Sequence, residues 1–84
     1  MKRDFGGAGQ TLDLHNKTVY QARIAVDAAL RRAGGEVYFI RVVHGYHLGV
    51  AVREMVRGEY AAHSRVKRVV AEGEGVTVLV LREL

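Results

Sequence analysis

The sequence predicts one small α/β domain with the element order βαβαββ, and three observations carry that reading. Two apolar runs, Thr11-Leu12-Asp13-Leu14-His15 and Val37 to Val43, are each followed by a segment whose apolar residues recur at helical spacing. The chain then closes on two β-rich runs, Val66 to Glu72 and Val76 to Leu81, separated by the turn Gly73-Glu74-Gly75. At 84 residues there is length for a single core, and a chain of this size buries only about 60 % of its unfolded surface.

Taken in order, residues 1–10 (MKRDFGGAGQ) are glycine-rich and without periodicity, so a mobile tail is expected there and the folded domain over residues 11–84. Thr11 to His15 forms the first strand, in which alternation sends Leu12 and Leu14 to one face and Asp13 and His15 to the other. Thr18 with Gln21 matches a capping box and opens a helix to about Ala33, with Ala22, Val26, Ala29, Leu30 and Ala33 as its buried stripe. Gly34 and Gly35 are placed to end that helix in the left-handed conformation. Val37 to Val43, interrupted only by Arg41, reads as a central strand covered on both faces. After Gly45-Tyr46-His47-Leu48-Gly49, a second helix presents Leu48, Val52, Met55, Val56 and Tyr60, weakened by about 1 kcal/mol at Gly58 relative to alanine.

Composition excludes several classes of function. With no Cys and no Pro, the chain has no disulfide framework, thiolate metal site or cysteine nucleophile. The first ten residues lack the apolar stretch of a signal peptide, and no apolar run approaches membrane-spanning length, so a cytoplasmic protein without a membrane partner is expected. A net charge of +4 favours an anionic partner such as nucleic acid.

The two histidines that end the apolar runs mark the candidate site. A helical crossover makes the two strands parallel neighbours, which places His15 and His44 at carboxyl ends on one sheet edge, about 5 Å from strand to strand. Ligands bind along that edge in open α/β sheets. Asp13 and His15 emerge together as a carboxylate and imidazole, suited either to acid/base work or to tying strand to loop.

These residues resemble the Smr (small MutS-related) domain. Leu12-Asp13-Leu14-His15, followed by Thr18-Val19 and a helix, matches the family's LDxH strand end. Val42-Val43-His44-Gly45, with Gly49 before a helix carrying Arg53, is similar to its HGxG loop. The resemblance spans residues 11–84 and implies an α+β two-layer sandwich similar to the C-terminal domain of translation initiation factor three, with a four-stranded mixed sheet and both helices on one face. It further implies nucleic-acid work, since Smr domains are known as DNA-nicking or RNA-cleaving endonucleases, several of them acting on messenger RNA at ribosomes. Three positions depart from the family pattern: Asn16 stands where glycine is usual, His47 replaces the second glycine to give HGYH, and Arg53 lies one residue further along. Asn is the side chain best able to replace glycine in a left-handed conformation.

The chemistry expected is phosphodiester cleavage, on RNA rather than DNA, with Asp13, His15 and His44 as catalytic residues. Neutral imidazole, with an ordinary pKa near 6.5, takes a proton from the attacking ribose hydroxyl while a second, protonated imidazole gives one to the leaving oxygen. Asp13 would fix the orientation of His15. Asn16, Lys17, Gly45, Tyr46, His47, Gly49 and Arg53 are the expected substrate-binding set, with free helix N-terminal amides and a cation on the phosphate and Tyr46 stacking on a base. Arg57 is a further candidate for phosphate contact, and His63 is expected to interact only with a helix dipole. This mechanism needs no cofactor. Two alternatives stay open: a non-catalytic module that binds nucleic acid or the ribosome, and a divalent-metal site built from Asp13, His15, His44 and His47. The choice between DNA and RNA and the oligomeric state have no marker in the sequence.

Overall fold

The structure, a computed structural model, describes residues 7–45 and 50–83. Its elements are β1 (Ala8–Asp13), α1 (Val19–Arg32), β2 (Val37–Val43), α2 (Val50–Glu59), a 3-10 turn (Tyr60–Ala62), β3 (Arg68–Ala71) and β4 (Val76–Val80). The strands form one mixed sheet in the order β1-β2-β4-β3, with β1 parallel to β2 and β4 antiparallel to both its neighbours.

Local sequence explains how α1 begins. Thr18 Oγ1 accepts from the Gln21 amide at 3.1 Å while Gln21 Oε1 accepts from the Thr18 amide at 3.0 Å, so two N-terminal donors are satisfied reciprocally. The helix does not end as expected. Ala33 is extended, and the glycines with positive φ among the described residues are Gly45 and Gly73 rather than Gly34 or Gly35. A side chain distant in sequence closes the helix instead: the Arg65 guanidinium donates to the carbonyls of Leu30 and Ala33, both at 2.6 Å.

β1 begins at Ala8, so Ala8 to Gln10 belong to the sheet and not to a tail. The glycines there have a packing reason. Gly9 is paired with Phe39, and a Cβ on Gly9 would lie 2.1 Å from the Phe39 ring, which only glycine admits over the strand.

Both helices pack on one sheet face. Ala22, Val26 and Leu30 of α1 and Val52, Met55 and Val56 of α2 bury against Leu14, Ile40, Val42 and Leu79. The other face carries a smaller cluster of Val70, Val78, Val80 and Phe39 and an ion pair in which Arg41 Nε donates to Glu72 Oε1 at 2.8 Å. The apolar run of β2 is therefore central yet helix-covered on one side, because its second face is sheltered by those strand side chains and the aliphatic stem of Arg41. Gly58 does not break α2, whose end is tied to α1 by the Tyr60 hydroxyl donating to Asp27 and by a two-point contact of Arg23 with Glu59.

Candidate active site

The end of β1 folds into a tight turn that carries the first site element. Lys17 N donates to Leu14 O at 3.1 Å, and Asn16 takes φ 62°, the left-handed conformation expected of an asparagine replacing glycine. Within this turn Asp13 Oδ1 accepts from the His15 backbone amide at 3.0 Å and from His15 Nδ1 at 2.6 Å. The amide bond first, then the imidazole, with the Lys17 charge adding, hold the Asp13 carboxyl below its ordinary value of 3.8. An ionised carboxylate only accepts, so His15 Nδ1 carries a proton, and in the neutral ring Nε2 offers its lone pair. Among the described residues no group occupies that nitrogen, and the His15 side chain is 65 % exposed.

His44 is placed very differently. β1 and β2 are in register with Asp13 opposite Val43, so the next pair is Leu14 with His44, and Leu14 N donates to Val43 O at 2.7 Å. Both side chains turn to the helix face, where His44 is only 2 % exposed. Its Nδ1 lies 2.7 Å from Gly45 O, and its Nε2 lies 2.8 Å from Thr77 Oγ1. A carbonyl cannot donate, so Nδ1–H donates to Gly45 and Nε2 accepts from the Thr77 hydroxyl. Arg57 Nε in turn donates to Thr77 Oγ1 at 2.8 Å, and its Nη2 reaches the carbonyls of Gly73 at 2.8 Å and Val76 at 3.2 Å. Burial, reinforced by the charges of Arg57 and Arg53 and opposed by the Gly45 bond, pushes the His44 pKa below its ordinary 6.5 and keeps the ring neutral.

The expectation that His15 and His44 reach one substrate atom is therefore corrected. They share a sheet edge but not a face, because alternation sends His15 with Asp13 and His44 with Val42. The His44 ring and the Gly75 carbonyl, which accepts from the amides of His44 and Gly45 at 3.0 Å each, hold the chain where it leaves β2. Gly45 has φ 74°, as a sharp turn there needs.

The remaining candidates divide. Lys17 is exposed beside Asp13. Arg53 is half-buried, its Nε 3.3 Å from Glu54 Oε2. Arg57, expected on phosphate, is consumed inside the fold. Tyr46, His47 and Gly49, like Leu48, lie outside the described residues. The metal set of Asp13, His15, His44 and His47 is not assembled by its described members, since both His44 nitrogens are taken, and among the described residues no three His, Asp or Glu side chains converge. His63 is not placed on a helix dipole alone: Nδ1 accepts from Arg65 N at 3.0 Å and the ring stacks on Tyr60 at 5.8 Å. Thr77 is the site residue that sequence reasoning missed, its faint signal being one hydroxyl in an otherwise apolar strand.

A mixed-sheet, two-layer α+β sandwich with an exposed carboxylate–imidazole pair where its first strand ends is the class defined by this geometry. The family model of the Smr domain matches residues 12–82, and the chain belongs to that family. It is similar to the crystal structure of the Smr domain of Thermus thermophilus MutS2, with 33 % sequence identity and a TM-score of 0.79 over 87 % of this chain and 98 % of that one. No curated protein matches the chain. Among the described residues no helix is long and apolar enough to cross a membrane.

Proposed function

We propose that this Smr domain is a cytoplasmic nucleic-acid endonuclease that favours RNA, including RNA at ribosomes, over DNA. The observation that carries the reading is the exposed Asp13–His15 pair, whose Nε2 has no partner among the described residues and stands at the turn leading into the N-terminus of α1. Lys17, Arg53 and the first amides of α1 draw the phosphodiester to that turn. His15 Nε2 takes the proton of the ribose 2′-hydroxyl, and the oxygen attacks the adjacent phosphorus. The bond from phosphorus to the 5′-oxygen breaks, that oxygen takes a proton from water, and the products are a 2′,3′-cyclic phosphate and a 5′-hydroxyl. Asp13 holds the Nδ1 proton in place and stabilises the imidazolium as it forms. His44 acts through the loop it anchors.

The test is cleavage of a labelled RNA beside the same strand carrying a single 2′-deoxyribose at the scissile position, each with and without chelator. RNA cut to a cyclic phosphate and a blocked deoxy substrate are the expected results. Cutting of the deoxy strand at equal rate, or activity lost to chelator and restored by manganese or zinc, overturns the mechanism. A binding module without turnover is the second reading, favoured by the withdrawal of His44 into the core. Salt-dependent binding with no cleavage under any condition would select it.

A further inference from the structure

Two cavities meet at the end of the molecule remote from His15. One, of about 480 Å³, lies against the last turns of α1 and is lined by Asp27, Leu30, Arg31, His63, Ser64 and Arg65. The other, of about 250 Å³, opens beneath it beside Lys67, Leu81 and Arg82, and shares Ser64 and Arg65 with the first. Through these shared residues the two are continuous as one groove.

The charges in this groove are unbalanced. Arg65 is fixed on the carbonyls of Leu30 and Ala33, which neutralises the negative end of α1 and leaves the other cations uncommitted. Arg31 and Lys67 are exposed and, among the described residues, have no acidic partner; Arg82 lies over the Tyr38 ring at 5.9 Å, also without one. Two carboxylates border the groove as well, Asp27, which accepts from the Tyr60 hydroxyl, and Glu36, which lies against Gly34, while Glu83 is paired with Arg68; the four cations outnumber them. Exposed arginines and lysines around a hydroxyl-lined concavity are the chemistry that receives phosphate oxygens.

We propose that this groove is a second phosphate-binding site for the same polynucleotide, so that the strand engaged at His15 continues along α1 to Arg31, Ser64, Lys67 and Arg82. This rests on the nucleic-acid reading above. The 14 residues of α1 span about 21 Å, which corresponds to roughly six nucleotides of a helical strand. A helical strand shorter than that does not reach both ends.

The test compares a 2′-O-methyl RNA of four nucleotides with one of twelve, neither cleavable, by fluorescence anisotropy over a salt series. Wild-type protein, Lys67→Glu/Arg82→Glu, Arg31→Glu and Lys17→Ala are used, with folding verified by circular dichroism. The longer RNA should bind the wild type more tightly. Its affinity should fall by about tenfold or more in the double variant, with the salt slope reduced by one to two units. Arg31→Glu should act in the same direction. The short RNA should respond to Lys17→Ala and not to the groove variants. A twelve-nucleotide RNA indifferent to the groove variants while the short RNA still responds to Lys17→Ala overturns the second site alone. Loss of both lengths together in the groove variants overturns it too, and absence of salt-dependent binding by either length overturns the nucleic-acid reading with it.

Discussion

His15 and His44 stand in matching sequence contexts, each closing an apolar run ahead of a helix, yet they are opposites in space. The His15 ring is exposed, bonded at Nδ1 and without a partner at Nε2 among the described residues, whereas His44 is buried with both ring nitrogens engaged. One residue of strand parity separates them. What the comparison teaches is that the end of a strand fixes the height of a side chain in a sheet, while its register with the neighbour fixes the face. In the proposed mechanism the first histidine meets the substrate, and the second holds the chain where it leaves β2.

The largest expected effect separates these roles. His15→Ala should lower RNA cleavage by about two to four orders of magnitude while the melting temperature stays within a degree or two. A folded variant retaining full cleavage would remove His15 from the chemistry. Asp13→Asn should cost about ten- to a hundredfold in rate, by loosening the ring, and leave RNA affinity nearly unchanged. If affinity falls with rate, Asp13 serves binding instead.

For His44 the balance is reversed. His44→Ala leaves the Thr77 hydroxyl buried without its acceptor and should destabilise the fold by about 1–3 kcal/mol, a fall in melting temperature of roughly 4–8 °C for each kcal/mol. Thr77→Val should destabilise in the same sense and add little on top of His44→Ala, because both sever one chain of hydrogen bonds. Additive losses in the double variant would show two independent contacts. The smallest effect is on pH dependence. The folded-state pKa of His44 lies below its ordinary 6.5, so the unfolded chain protonates first. Its stabilising contribution is complete above about pH 6.5 and is lost as the pH falls through and below that value. Urea midpoints measured between pH 8 and 5 should decline for the wild type and decline less for His44→Gln.

Much of the fold was legible because its determinants are local. The Thr18 and Gln21 capping box, the apolar run of β2 and the turn at Asn16 each act within a few residues, and each is found where the sequence places it. The pair formed by Asp13 and His15, two positions apart, was legible for the same reason. The start of β1 was not, since glycines at 7 and 9 read as a tail until the rings of Tyr38 and Phe39 are seen lying over them. The end of α1 depended on Arg65, more than thirty positions from the carbonyls it caps. The setting of His44 was likewise hidden, for Thr77 stands 33 positions away and Arg57 reaches it from another element. The membership of the fold could be read from two short motifs, but the division of labour between their histidines required the sheet register.

β1 is an edge strand: it bonds β2 along one side, and among the described residues no strand lies along the other. Its side chains from Ala8 to Thr11 are exposed, whereas Leu12 packs on the core and Leu14 is buried in it, so the strand is held by backbone bonds at its start and by apolar contact at its end. Amide hydrogen exchange should therefore be faster over residues 8–11 than along β2 and β4. Fraying from that start would stop short of the carboxylate and imidazole, because Leu14, between them, is anchored beneath the helices.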